Sequence, residues 1–482
     1  MLLSKFVRLL MAVLQIVGVV IAGIVGCLWL AMLWAGQLHR PKRAPPGSFG
    51  LPIIGETHQF VIDGRSKSPQ VYADKRKAKY GQPVYTTHHM GYPTVMSIDP
   101  EVNKFILQNE GKYFVSNYPR SLRNLFGEGA IACTSGDLHK RIHNVVLSFI
   151  NTTKLKEFVM ADVEYVIKTA LRNWEGRTVH VEEECKTMAF NIITKYLLGL
   201  KPGEETTYLM MEYRKFIEGI ISIPIKIPGT SYYRSMKCKE NCVNVMKKII
   251  EERRRKPQSE QKDILDALLA DSDQNGEKIP DSIIYNNIMN LFGAGEETSP
   301  MAMMCAVKYI YECPKALDQL REEHYAIRKM KASRESLTWN DYTNCMTFTH
   351  QVINETLRLV NPAAGVNRKA VKDVEFKGYF FPKGWLVFPY FRNVHLDEAV
   401  YPDPLTFNPW RWEKKIPSMY YTPFGGGPRI CAGQELAKLE IAIFLHYLVT
   451  QFTWIHHDDE IINFPAVSFK NKLPITVKAL QR

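Results

Sequence analysis

Three features of the 482-residue chain predict a mainly α-helical body with small β-sheets behind a single N-terminal transmembrane helix. The run from Leu9 to Trp34 carries no charge, and long central stretches repeat apolar residues at helical spacing. Strand-like alternation is confined to short pieces such as Pro83 to Tyr85, Thr94 to Ile98 and the region from Lys372 to Phe388. With 46% hydrophobic and 23% charged residues, and no low-complexity tract or fixed-period repeat, disordered and solenoid architectures are excluded.

The uncharged run is long enough to cross a hydrocarbon core of about 30 Å as a tilted helix. A cleaved signal peptide has an apolar stretch of only about 7 to 15 residues, so a retained anchor over residues 1–39 is expected. Lys5 and Arg8 precede the run, and Arg40, Lys42 and Arg43 follow it; this slight excess places the body on the cytosolic side. Residues 40–56 form a Pro-rich hinge, since Pro41, Pro45 and Pro46 bar regular helix and central strand. It serves either to hold the body against the bilayer or as a plain spacer, and the catalytic body follows over residues 57–482.

The formal net charge of +13 favours an anionic lipid surface or an acidic protein partner. No nucleic-acid-binding signature accompanies it, so nucleic acid is not an expected partner. Nine scattered cysteines, an odd number, suggest reduced thiols on the cytosolic side. Cys238 and Cys242 stand one helical turn apart but lack a second pair of zinc-like spacing.

The most informative stretch runs from Phe424 to Gly433 (FGGGPRICAG) and leads into a helical pattern from Gln434 to about Thr450. A thiolate that binds a metal needs N–H donors and a positive field, and the backbone past Cys431 and the following helix N-terminus supply both. Glycines permit close backbone approach and positive φ. A second cluster, Ala294-Gly295-Glu296-Glu297-Thr298-Ser299, lies inside a helical pattern from about Ser282 to Cys313. There Pro300 deprives the carbonyl of Glu296 of its partner, so a kink is expected. A third, Glu355-Thr356-Leu357-Arg358, places carboxylate and guanidinium on one helical face.

Phe424, Gly427, Arg429, Cys431 and Gly433 match F-x-x-G-x-R-x-C-x-G at every fixed position and resemble the cysteine-ligand signature of the cytochrome P-450 superfamily. The resemblance covers the chain from about Arg40 to its end. It implies the cytochrome P-450 fold and a haem b cofactor whose iron is bound by Cys431, with Arg429 reaching a propionate. The 294–299 cluster resembles the family's oxygen-activating segment, with Thr298 as the alcohol and Glu297 as the acid that relays protons from solvent. Glu355 and Arg358 resemble its E-x-x-R pair, joined by Arg411 from Phe407-Asn408-Pro409-Trp410-Arg411-Trp412 in a structural triad.

His139 and Arg368 match residues that face the propionates. Four residues after His139 the family has arginine, but this chain has His143, a weaker partner, and Lys140 or Arg141 is expected to compensate.

Thiolate ligation favours O–O cleavage, so the resemblance implies monooxygenation with dioxygen and electrons from NADPH. The chain carries no flavin or nicotinamide fingerprint, so a separate NADPH-cytochrome P-450 reductase, bearing FMN and FAD, is the expected partner. Its acidic surface would meet Arg429 and Lys438 beside the cysteine loop. Gly50 to Thr57, Ile227 to Thr230, Arg368 to Val374, Trp385 to His395 and Lys472 to Ile475 are similar to plant brassinosteroid-pathway hydroxylases. That likeness implies a sterol or steroid oxidised on the side chain, at the endoplasmic reticulum membrane.

By analogy the substrate pocket is expected around Leu122, Phe126, Phe216, Ile220, Met289, Phe292, Ala294, Ala364, Val366 and Val467. Two other readings stand beside monooxygenation. A haem-thiolate isomerase or dehydratase of hydroperoxides would need no reductase, and a non-catalytic haem or sterol carrier would turn nothing over.

Overall fold

The computed structural model describes Met11, residues 15–29 and residues 41–480, apart from short stretches at 52–53, 67, 90, 151–152, 154–157, 221, 223, 256–262, 332–334 and 465. Residues 15–29 are helical, and Ile16, Val19, Ile21 and Trp29 on them are exposed. Both ends of the expected span lie outside the described residues, among which no helix is long and apolar enough to cross a membrane.

The body is mainly helical. Its elements near the site are β1 (Val84–His89), β2 (Tyr92–Ser97), α1 (Pro100–Gln108), β3 (Phe114–Ser116), α2 (Asp137–Phe149), β4 (Thr178–His180), α3 (Val181–Leu198) and α4 (Glu204–Ile217). Then come α5 (Asp281–Glu312), α6 (Thr347–Val360), β5 (Arg368–Ala370), β6 (Leu386–Pro389), α7 (Gln434–Gln451), β7 (Phe452–His456) and β8 (Pro474–Ala479). The main sheet has the order β1-β2-β6-β5-β3, with only β2 and β6 parallel. A smaller sheet runs β4-β8-β7.

Local chemistry sets the boundaries that matter for the site. The Asp99 carboxylate accepts from the N–H groups of Glu101 and Val102, and Pro100 opens α1, a well-formed N-terminal cap. Gly199 closes α3 at φ +69°, a left-handed position that costs glycine little.

Helix α5 is the spine of the core, packing on α3, α6 and α7. Its buried face includes Ile284, Ile288, Phe292, Met303 and Val307, and α7 is buried over most of its length. Burial at about 25 cal/mol per Å2 of apolar surface drives this assembly. Helix α5 is 32 residues long with Pro300 inside it. The hydroxyls of Thr298 and Ser299 bond back to the carbonyls of Ala294 and Gly295, one turn earlier.

The Pro-rich segment expected to act as a hinge is tied to the body. Thr86 N donates to Pro46 O (2.9 Å), its hydroxyl donates to Pro45 O (2.7 Å), and Gly47 bridges Thr86 in parallel. A Cβ at Gly47 would sit 1.9 Å from the Thr86 carbonyl oxygen, so no larger residue fits.

Candidate active site

Phe424 to Gly433 wraps into a loop with its sulfur facing a cavity of about 340 Å3. Cys431 N donates to Phe424 O (3.1 Å), and Ile430 N donates to Gly427 O (3.1 Å) across a short 3-10 turn. Gly425 and Gly427 hold φ of +72° and +66°. At Gly427 a Cβ would stand 2.1 Å from the carbonyl oxygen of Leu107, so the end of α1 braces the loop only because this residue has no side chain. Cys431 is open to the cavity, yet enclosed by protein on its other sides. Burial raises its thiol pKa, and the N–H of Gly433 opposes that rise.

Across the cavity, α5 presents Ala294, Gly295, Thr298 and Ser299 to the same space. The Thr298 hydroxyl donates to Ala294 O (2.7 Å), and its side chain is accessible from the cavity. Glu297 points elsewhere: it does not border the cavity and pairs with Lys186 of α3 at 3.1 Å. Its neighbour Glu296 is fully buried, accepts from Arg214 Nε (2.7 Å) and is pushed up to about 7 by burial. Ser299 Oγ donates to Glu440 of α7 (2.5 Å), a buried carboxyl that burial raises to about 8.

Behind the loop, Glu355 accepts from Arg358 Nε and Nη2 (2.9 and 2.8 Å), from Arg411 Nε (2.9 Å), from Trp412 Nε1 (3.0 Å) and from the backbone N–H of Asn408 (3.0 Å). The structure thus brings Glu355, Arg358 and Arg411 together, with Glu355 and Arg358 wholly buried. His395, which sequence reasoning missed, connects this cluster to the cysteine loop. Arg358 Nη1 donates to His395 O (2.9 Å), and Thr422 N donates to His395 Nε2 (2.9 Å), two residues before Phe424. Burial and Arg358 hold His395 down to about 3, so it stays neutral and keeps that acceptor.

On the remaining wall lie His139, His143, Arg368 and Arg429. His139 stacks on His143 (5.4 Å between rings) and is lowered to about 4 by burial, then by Arg429. His143 donates from Nε2 to Ile430 O (3.1 Å), which ties α2 to the residue before Cys431. The expected compensation by Lys140 or Arg141 is absent, because both project from another face of α2. Arg141 pairs with Asp271 and donates to Glu277 O, while exposed Lys140 pairs with Asp137.

Of the residues expected to form the substrate pocket, Ala294 and Val366 border the cavity. Phe126, Phe216, Met289, Phe292 and Val467 are instead buried in the main core, with Leu122 and Ile220 packed against it. Phe126, Phe216, Tyr213 and Phe292 form a continuous aromatic chain with ring spacings of 5.6–5.7 Å. Ala364 packs on a separate cluster around Phe60 and Phe388. Apolar residues at helical spacing serve the core as readily as a ligand, so their type did not separate the two uses.

The cavity fits a haem. A sulfur faces it, apolar walls surround it, and Arg368, 5% exposed, reaches it with few partners of its own. Its Nη1 donates to Asn367 O (3.1 Å) and its Nε forms an ion pair with Glu110 Oε2 at 2.9 Å, which leaves a buried guanidinium bordering the cavity where an anionic group would be held.

The comparisons agree with this geometry. The family model for cytochrome P450 matches residues 45–478. An Arabidopsis thaliana protein, 3-epi-6-deoxocathasterone 23-monooxygenase CYP90C1, is 44% identical over 90% of this chain and 84% of its own. The 3beta,22alpha-dihydroxysteroid 3-dehydrogenase of the same plant is 42% identical over 91% and 93%. Among solved structures, retinoic acid-bound cyanobacterial CYP120A1 superposes with a TM-score of 0.81 at 29% identity, covering 91% of this chain and 99% of that one. With a cysteine loop and a threonine hydroxyl bordering one cavity, and a match over nearly its whole body, the chain belongs to the cytochrome P450 family of haem-thiolate monooxygenases.

Proposed function

We propose that this enzyme hydroxylates a steroid, on the side chain, with dioxygen and with electrons that originate from NADPH and arrive through a separate reductase. The observation that carries the reaction type is the shared cavity, which both Cys431 and Thr298 border. Bound haem with a thiolate ligand supplies dioxygen activation, because the sulfur donates electron density that favours O–O cleavage. Cys431 would be its ligand, and Arg368, Arg429 and His139, which line the same cavity, would hold its carboxylates.

The Thr298 hydroxyl borders the cavity with its proton held on Ala294 O, and its replacement would come along α5, where Glu297 and Lys186 form an outer pair. The apolar lining excludes bulk water. The substrate class rests on the two plant relatives, whose names describe oxidation of steroids, one at position 23 and one at position 3.

Membrane attachment is part of the same proposal. The uncharged stretch from Leu9 to Trp34 anchors the chain to the endoplasmic reticulum with the body in the cytosol. Exposed Leu51, Ile54 and Ile62 near the hinge, with Ile225 and Ile227, offer further apolar contact to lipid. After fractionation the full chain is expected to stay with membranes through alkaline carbonate washing, and to be released when residues 1–39 are deleted; recovery of the full chain in the wash would remove the anchor.

The deciding experiment is reconstitution with reductase, NADPH and a panel of steroids that differ in side-chain hydroxylation, with products identified by mass spectrometry. A hydroxylated side chain that requires both NADPH and reductase is expected. Turnover of hydroperoxides without either would assign the enzyme to isomerisation instead, and ring oxidation alone would move the reacting carbon.

A further inference from the structure

Glu110 is a loop residue two positions beyond the end of α1, and its side chain is 7% exposed. It stands between two guanidinium groups of the cavity wall. Arg429 Nε donates to Glu110 Oε1 (2.6 Å), and Arg368 Nε lies 2.9 Å from Oε2. The second contact is an ion pair without hydrogen-bond alignment, since neither atom has a hydrogen-bond partner. The backbone N–H of Ser116 also donates to Oε1 (3.2 Å), and Ser116 lies directly opposite Arg368 in the β3–β5 ladder. One carboxylate is therefore fastened to the sheet edge, to the strand that carries Arg368 and to the loop that carries Cys431.

Two arginines side by side in a buried wall repel one another, and each lowers the other's tolerance for charge. Burial, with Arg429 adding to it, already lowers the pKa of Arg368. A carboxylate between them offsets that repulsion, and both arginines still border the cavity. Arg429 is held further by four hydrogen bonds in all, to Glu110, Ile131 O, Thr134 O and Ser135 Oγ. Arg368 has only Asn367 O and the Glu110 contact. The position of Arg368 thus depends on Glu110 more than that of Arg429 does.

We propose that Glu110 is the positioning residue of the carboxylate-binding wall, holding Arg368 beside Arg429 so that both face the cofactor's propionates before it arrives. The proposal rests on the haem reading of the cavity. It also fixes the local charge: two arginines and one glutamate leave a single net positive charge to meet two carboxylates, so arrangement rather than excess charge provides the affinity.

The test compares haem with its neutral dimethyl ester. Full-length protein, as wild type and as Glu110→Gln, is loaded with each porphyrin, and loss to excess apomyoglobin is timed. Wild type is expected to retain haem far longer than the ester, and in Glu110→Gln that preference falls by roughly tenfold, about 1.4 kcal/mol. Arg368→Gln lowers it similarly, and the double variant falls no further than the weaker single one, because both changes remove one arrangement.

Equal acceleration of both porphyrins in Glu110→Gln would reduce Glu110 to a structural residue. A preference that stays constant or grows would show that the carboxylate competes with the propionates. Should Glu110→Gln fail to accumulate, Glu110→Asp, which keeps the charge but cannot span both guanidiniums, must lower the preference as well. Failure of wild type to take up haem at all would overturn the haem reading itself and is seen separately.

Discussion

Thr298 is the residue whose chemistry is most exposed to test. Its hydroxyl opens to the cavity and is anchored by Ala294 O, so Thr298→Ala removes a proton donor while leaving the helix intact. NADPH consumption should persist, peroxide should rise, and product per NADPH should fall by about tenfold or more. Unchanged coupling, measured as product against NADPH and peroxide, would remove Thr298 from the relay. Cys431→Ser replaces the sulfur that enters the cavity and is expected to abolish the reduced, carbon-monoxide-bound spectrum of sulfur ligation. That both residues share one cavity was legible in the sequence, because each sits in a recognisable local pattern. Glu110 and His395 were not, since each acts through partners far along the chain and carries no local signature.

Elements, more than single residues, hold the cysteine loop. Helix α6 contributes Glu355 and Arg358, and the segment after Phe407 returns Arg411 and Trp412 to the same carboxylate. Glu355→Gln leaves two buried guanidiniums short of their counter-charge, a loss of about 3–5 kcal/mol. Denaturant unfolding should reveal it as a lowered midpoint together with a smaller haem-loaded fraction; a midpoint within error of wild type would make the triad dispensable. The long helices themselves were readable: α5 and α7 lie within one residue of their expected limits, as long apolar periodicities allow. The substrate wall was not readable, because Phe216 and Phe292 satisfy the core and the pocket pattern equally well.

At the scale of the molecule, stability is set partly by buried titratable groups of opposite tendency. Burial holds His89 to about 4, His395 and His446 to about 3, and His324 well below its usual value. These histidines bind protons near pH 6.5 when unfolded but not when folded, so stability is lost as pH falls below about 6.5 toward those lower values. Glu440 and Glu296 act the other way: raised to about 8 and about 7, they take up protons in the folded state first, and stability declines as pH rises from about 4.5 through those values.

Glu440→Gln keeps an acceptor for Ser299 and removes the cost of a buried charge. It should raise the unfolding free energy at pH 8 more than at pH 5, by an amount on the order of a few kcal/mol at most. Equal shifts at both pH values would place Glu440 outside this balance.

The contact between Glu110 and Arg429 joins positions 319 residues apart. Because chains emerge from the ribosome N-terminus first, the carboxylate of this wall exists long before either of its arginines. A nascent polypeptide has nowhere to lodge an iron porphyrin until almost the last stretch has been translated. Cofactor capture is therefore a late event, reserved for molecules whose synthesis has nearly finished, and prematurely terminated products cannot sequester haem.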